Sequence, residues 1–271
     1  MENESGKLFS GKIPEIYDQL LVPLIFESYA FHLAECVAKA NPSRVLETAA
    51  GTGALTRAMT ATLSPKVSIT ATDLNQPMLD YAAAREPCGR RIVWQQADAM
   101  ALPFEDQIFD AVACQFGAMF FPVKVQAYRE ARRVLKPGGR FLFNVWCGTG
   151  ENEFANVVAE AVESMFPSDP PCFLSRLPYG YFDVARIRAE LAEAGFITTI
   201  VETREDVSRA SSALEAAVAY CQGTPLRNEI EARGPSRLEE ATQRAAEALA
   251  QRFGSGPIEG RMKAHVFVSS R

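Results

Sequence analysis

Three acidic residues constrain the fold of this chain more than any other feature. Glu47, Asp73 and Asp98 lie 26 and 25 residues apart, and each ends or closely follows a short β-prone run, at residues 44–48, 67–72 and 91–95. Helical patterns separate the first run from the second and the second from the third. A strand, a crossover helix and a further strand at this spacing return each strand parallel to the last, and a parallel sheet needs helices on both faces. The three carboxylates are therefore expected along one rim, at the strand ends where open parallel sheets bind ligands.

The same rhythm continues. Residues 108–115 read as a fourth strand and 123–135 as a helix, stopped by Lys136-Pro137-Gly138-Gly139. Residues 140–147 are apolar on both alternating sets, as in a strand buried on both faces. Further strands are predicted at 196–203 and 263–269, giving an α/β, doubly wound, mostly parallel seven-stranded sheet with helical cap insertions. Pro23 is expected to break the helical stretch 13–40 into two helices. Helices are also expected at 153–166, at 183–194 closed by Gly195, at 211–221 and at 236–253. About sixty residues separate the last two strands, longer than an ordinary connection, so that segment reads as an inserted cap. The expected division is a helical lid (1–42), the α/β core (43–148), substrate-side helices, loop and sixth strand (149–209), the cap (210–262) and the last strand (263–271). The late helices either cap a site or bury a homodimer contact.

Composition removes several classes of function. With 28 Lys and Arg against 33 Asp and Glu, the net charge of −5 opposes the electrostatics of nucleic-acid binding. No run approaches about 18 consecutive apolar residues and the first twelve residues are polar, so a soluble, cytoplasmic chain without a membrane span is expected. The six cysteines are 25 or more residues apart, without the close pairing of zinc sites, and only two histidines occur. Free thiols in a reducing compartment and no His-rich metal centre follow.

Between Glu47 and the next helix, Ala49-Ala50-Gly51-Thr52-Gly53 is a small-residue loop that can bring backbone N–H groups against a ligand. Asp73, 22 residues after Gly51, is placed to accept from both hydroxyls of a ribose. Asp98 can accept from an exocyclic adenine amine, with Leu74, Met78 and Met100 sandwiching the base. A negative rim suits a ligand carrying positive charge. A dinucleotide fingerprint would need glycine at position 56, where threonine stands, and Gly6 to Gly11 with Lys12 imitates a P-loop without a preceding strand. Arg129, Arg132, Arg133, Lys136 and Arg140 read as a solvated face at a helix C-terminus. Phe116, Met119, Phe120 and Phe121 suit either a substrate wall or the core, and His265 reads as structural.

In order and spacing these segments resemble the motifs of class I S-adenosylmethionine-dependent methyltransferases. Val45-Leu46-Glu47-Thr48-Ala49-Ala50-Gly51-Thr52-Gly53 is similar to the first motif, and Thr72-Asp73-Leu74-Asn75-Gln76-Pro77-Met78-Leu79 to the second. Gln96 to Phe104, Phe109-Asp110-Ala111-Val112 and Arg133-Val134-Leu135-Lys136-Pro137-Gly138-Gly139-Arg140 resemble the later ones, most of all in the branch that includes the ubiquinone and menaquinone biosynthesis methyltransferases. The resemblance implies S-adenosyl-L-methionine as cofactor. It assigns Glu47 to Gly53 to the methionine moiety, Asp73 to the ribose, Asp98 with Ala99 to adenine, and Gln115 with Phe116 to the edge of the methyl-transfer site. Tyr17 stands where related enzymes place an aromatic over the methionine end. Ala49 occupies the place of the family's first glycine, so the turn is expected to keep a conformation that alanine tolerates. The implied function is methyl transfer to a small, partly apolar metabolite, with no obligatory base; His32, Glu27, Tyr29 and Tyr179 are candidates. A noncatalytic S-adenosylmethionine-binding or regulatory protein is the alternative.

Overall fold

The computed structural model describes residues 11–85 and 92–271. Cys88, Arg91 at the start of the predicted third strand, and most of the P-loop-like stretch lie outside the described residues. Along the chain the elements are α1 (Ile13–Ile16), a π-helical stretch (Tyr17–Phe26), α2 (Glu27–Ala38), β1 (Arg44–Glu47), α3 (Ala54–Thr62), β2 (Ser68–Asp73), α4 (Gln76–Ala84), β3 (Ile92–Gln96), β4 (Phe109–Gln115) and α5 (Lys124–Val134). There follow β5 (Leu135–Trp146), α6 (Glu153–Ser164), α7 (Phe173–Arg176), α8 (Val184–Glu193), β6 (Thr198–Ala210), α9 (Ala213–Gln222), α10 (Leu226–Ala232), α11 (Arg237–Phe253) and β7 (Ile258–Ser270).

The seven strands form one sheet in the order β3-β2-β1-β4-β5-β7-β6. β1 to β5 pair in parallel and β7 runs antiparallel to β5. This is the mostly parallel, doubly wound α/β sheet read from the sequence. β1 lies between β2 and β4, so the chain reverses its direction of winding there and opens a crevice at the strand ends. β5 begins with an irregularity: Phe109 pairs with Leu135 but Ala111 with Arg140, which accommodates the Pro137-Gly138-Gly139 turn.

The described chain forms two compact units. The first comprises residues 27–146, 182–204 and 264–271 and contains the sites considered below. Its sheet is buried on both faces. On one, Leu33 and Val37 of α2 and Leu55 and Met59 of α3 pack with Val45, Ile69 and Leu142. On the other, Phe141 and Phe143 stack on each other and on Phe196 and Phe267 respectively, with Tyr128 of α5 tilted against both. Burying such apolar side chains contributes about 1.5–3 kcal/mol each.

The second unit comprises the described residues up to Phe26, with 147–181 and 205–263, and is mostly helical. α11 packs against α9 and α6, and the π-helical stretch packs on α9. The side chain of Asn152 ties the segment after β5 to β7, its Nδ2 donating to Gly148 O at 3.1 Å and its Oδ1 accepting from Lys263 N–H at 3.0 Å. α10 is a short helix that the sequence reading did not resolve from the loop before α11.

Two expectations are corrected. Pro23 does not end a helix: the helix runs from Ile13 to Ala38, and the proline lies inside the π-helical stretch. The wider i→i+5 turn accommodates the missing N–H and relieves the clash of the ring with the preceding carbonyl. This helix is long and apolar enough by composition to cross a membrane, but more than half of its most apolar stretch is buried in the protein, the situation of a core helix. The basic cluster at the end of α5 is a solvated face only in part. Arg129 pairs with Glu193 at 3.0 Å, Arg132 donates to Gly195 O at 2.8 Å, Lys136 pairs with Asp110 at 2.7 Å, and Arg133 is built into a network described below. His265 agrees with its structural reading, its Nδ1 lying 2.9 Å from Thr203 Oγ1.

Candidate functional site

Parallel register aligns the ends of β1, β2 and β3. Glu47 pairs with Ala71 on one side and Ala113 on the other, and Asp73 pairs with Gln96. Beyond the strands the rim is stitched by backbone hydrogen bonds: Ala50 N–H to Thr72 O at 2.9 Å and Ala97 N–H to Asp73 O at 3.0 Å. Glu47, Asp73 and Asp98 thus close consecutive strands on one edge, as the spacing predicted. Glu47 and Asp73 are buried, at 1% and 7% exposure, and Asp98 is half-buried.

The loop after β1 crosses this rim with three residues in left-handed conformation: Ala49 (φ 53°), Gly51 (φ 56°) and Gly53 (φ 84°). Gly53 is required twice over, for its φ and because a Cβ there would lie 3.1 Å from the Trp94 ring and 3.3 Å from Ala82. Ala49 corrects the expectation that the turn avoids a glycine conformation. It adopts one, at a cost of roughly 1–2 kcal/mol for an L-residue. Gly117 makes this feasible, because a Cβ at 117 would collide with the Ala49 Cβ and sit 2.9 Å from Cys114 Sγ. The methyl group that alanine adds to the loop occupies the space that glycine 117 leaves.

The carboxylates hold the loop and the segments that follow it. Asp73 Oδ2 accepts from Gly51 N–H at 2.8 Å, and its Oδ1 accepts from Asn75 N–H at 2.8 Å and Asn75 Nδ2 at 3.2 Å. Asn75 was read as a helix start signal and does precede α4, but its side chain turns to Asp73 instead of capping the helix. Glu47 Oε2 accepts from Thr56 Oγ1 at 2.5 Å. Burial, with Asp73 adding to it, raises the Glu47 pKa to about 8, so this acid is largely protonated at neutral pH. Burial also pushes Asp73 upward, against the hydrogen bonds from Asn75 and Gly51. Thr52, 1% exposed in the middle of the loop, has a buried hydroxyl without a hydrogen-bond partner. A buried polar atom left in that state costs about 1–3 kcal/mol, and a ligand group in the loop would relieve it.

The other predicted residues fall on the same unit with one exception. Met78 is buried on α4, and its Cε would lie 3.9 Å from a Cβ at Gly51; Leu74 leads from β2 into α4. Ala99 and Met100 follow Asp98, whose Oδ1 accepts from Met100 N–H at 2.8 Å. Gln115 ends β4 opposite Asn144. Phe116 has a left-handed backbone (φ 48°), held by its N–H to Asn144 Oδ1 at 3.0 Å, and its ring stacks on Trp146 with centroids 3.9 Å apart. Tyr29 sits edge-on to both rings. Tyr17 belongs to the helical unit, where it stacks on Phe26 at 5.1 Å.

The candidate bases do not form one group. Tyr29 is buried with its hydroxyl donating to Arg204 O at 3.1 Å, and His32 Nε2 lies 3.7 Å from Glu202 with its pKa lowered by burial. Glu27 is exposed, and Tyr179 is buried in the helical unit with its hydroxyl 3.5 Å from that of Tyr220. Sequence reasoning missed Thr56, Gly117 and Asn144, and named Thr52 only as part of the loop. Only Asn144 left a signal, as the polar residue in an otherwise apolar strand; its Oδ1 orders the Phe116 backbone while its Nδ2 is buried without a partner. Among the described residues no group of three or more His, Cys, Asp and Glu is arranged to hold a metal ion.

Comparison with known proteins bears on this arrangement. Residues 46–143 match the family model described as a methyltransferase domain. The demethylmenaquinone methyltransferase of Thermus thermophilus is 34% identical over 154 residues, 56% of this chain and 67% of that protein. The ubiquinone/menaquinone biosynthesis C-methyltransferase UbiE of Ectopseudomonas mendocina is 32% identical over 166 residues, 57% of this chain and 65% of that one. Over the curated relatives the chain spans between 39% and 67% of their length. In fold it is similar to the phosphoethanolamine N-methyltransferase 2 of Haemonchus contortus solved with S-adenosyl-L-methionine, with a TM-score of 0.59, 17% identity and coverage of 95% of this chain and 56% of that one. It is also similar to the YcgJ protein of Bacillus subtilis, with a TM-score of 0.57, 20% identity and coverage of 90% and 98%.

Proposed function

This chain belongs to the class I S-adenosylmethionine-dependent methyltransferases, and from that premise we propose that it binds S-adenosyl-L-methionine along the β1–β2–β3 rim and transfers its methyl group to a small, partly apolar metabolite. The observation that carries the reading is the pair of buried carboxylates, Glu47 and Asp73, beside a left-handed loop that holds an unpartnered threonine hydroxyl. The residues present suit the cofactor: the loop holds the Thr52 hydroxyl without a partner, and carboxylic side chains line the rim. When bound, S-adenosylmethionine supplies a methyl group already activated on a sulfonium.

The chain's own part is then alignment and exclusion of water. Asp73 would exchange part of its hold on Gly51 or Asn75 for the ribose hydroxyls. Asp98 with Ala99 would meet the adenine edge, with Leu74, Met78 and Met100 against its faces. Glu47 would lie toward the cationic methionine end, where a positive charge favours its ionised form. Gln115 and Phe116 would border the transfer site. The family match ends at residue 143, so we assign the choice of acceptor to residues outside it. The curated relatives are named as a ubiquinone/menaquinone biosynthesis C-methyltransferase and a demethylmenaquinone methyltransferase, which supports a catalytic reading and an acceptor with an apolar part.

The test is incubation of the purified chain and an Asp73→Ala variant with methyl-labelled S-adenosylmethionine and a metabolite extract, followed by mass identification of labelled products. Label in a small apolar product with the wild type and not with the variant is expected. Absence of both binding and transfer with the wild type overturns the reading.

A further inference from the structure

The segment from Asp98 to Asp106 carries three of the proposed cofactor residues, yet it has no helix and no pairing beyond the bridge between Asp98 and Ala101. Its backbone groups must find partners elsewhere. They find them on one stripe of α5, where residues 126, 130 and 133 are spaced by four and three. Gln126 Nε2 donates to Met100 O at 3.3 Å. Glu130 Oε2 accepts from Leu102 N–H at 2.8 Å. Arg133 Nη2 donates to Leu102 O at 2.9 Å, and its Nη1 donates to Phe104 O and to Asp106 Oδ1, both at 2.7 Å. Arg133 is itself held in a two-point pair with Glu130, Nε to Oε1 and Nη2 to Oε2, both at 2.8 Å. At the other end the segment is anchored to β2 by Ala97 N–H on Asp73 O at 3.0 Å.

We propose that Arg133, locked by Glu130 and assisted by Gln126, is a positioning residue that sets Asp98 relative to Asp73 and thereby the enzyme's choice of nucleobase. The inference rests on the cofactor reading above. Arg133 acts through the Leu102 and Phe104 carbonyls and the Asp106 carboxylate, on the segment that leads directly to the turn that Asp98 closes on Met100. The role needs arginine: its planar fork spans two carbonyls and two carboxylates at once, whereas the lysine ammonium is a point donor that cannot hold that set.

The test is titration calorimetry of the full chain with S-adenosylhomocysteine and with S-inosylhomocysteine, in which a carbonyl replaces the exocyclic amine that Asp98 would accept from. The wild type is expected to prefer the adenine ligand by about tenfold or more. Arg133→Lys is expected to reduce that preference by roughly threefold or more, through weaker binding of the adenine ligand, because Asp98 is no longer held in register. Glu130→Gln keeps the shape of the side chain and should move the ratio in the same direction; it decides the question if Arg133→Lys fails to fold. A purely structural role would weaken both ligands by one common factor. Variants that retain the wild-type ratio overturn the positioning role while leaving the cofactor reading intact. A wild type that binds neither ligand overturns the cofactor reading and the positioning role with it. One that binds both without discriminating overturns the Asp98 assignment and the positioning role and leaves the cofactor reading intact.

Discussion

Replacing Glu47 by glutamine isolates the main electrostatic consequence of the fold. Glu47 is 1% exposed, and burial with Asp73 nearby raises its pKa from 4.5 to about 8. An acid with a raised folded pKa keeps a proton that the unfolded chain has already released. Its contribution to stability is therefore complete below about 4.5 and is lost as the pH rises to about 8. At ~1.4 kcal/mol for each tenfold change in proton affinity, the gap corresponds to on the order of 5 kcal/mol. That is an upper bound, because relaxation and water entry lower the cost of the buried charge. Glutamine preserves the shape and can still accept from Thr56 through its amide oxygen, but it has no proton to lose. Urea unfolding of both proteins without ligand, from about pH 5 to 8.5, is the assay. Stability of the wild type relative to Glu47→Gln should fall by several kcal/mol across that window. The rise of Asp73 slopes both curves in the same sense and largely cancels in the difference. Parallel curves would refute the claim that burial keeps Glu47 protonated.

Three further outcomes follow from the same geometry. A cationic cofactor beside Glu47 should favour its ionised form, so calorimetry of S-adenosylmethionine binding near pH 7 in buffers of different ionisation enthalpy should reveal proton release that Glu47→Gln lacks; identical proton uptake in the two proteins counts against the placement. Asp73→Ala removes the acceptor for Gly51 and Asn75 as well as the proposed ribose partner, and should lose roughly 1.5–3 kcal/mol of cofactor binding; unchanged affinity would sink that assignment. Gly117→Ala should destabilise the chain by about 1–3 kcal/mol through its collision with Ala49, and adding Ala49→Gly should restore most of the loss. A double-mutant cycle reads this pair, and strictly additive effects would show that the two positions do not share one space.

Arg133 and Asp98 show how far local pattern reaches. The strand-end acids, the helix stops at Pro137 and Gly195 and the mostly apolar run of β5 were legible because element type and sheet direction are written in periodicity and turn chemistry over a few residues. The order of the motifs pointed to the family on the same local grounds. Pro23 was misread because a proline signals a break only if the helix stays α, and a π-helical stretch has room for it.

Pairings across long stretches of chain were decided by the tertiary structure alone. Ala49 can hold a glycine conformation because Gly117, far along the chain, leaves its methyl group a place. The Glu47 pKa is raised because the sheet buries it beside Asp73, which no spacing records. Arg133 looked like one cation in a solvated cluster, and became the clamp of the Asp98 segment only when α5 was laid against it. Chain-local forces select helix, strand and turn. The energies of steric fit, burial and charge depend on which residues meet, and that is determined only once the sheet has closed.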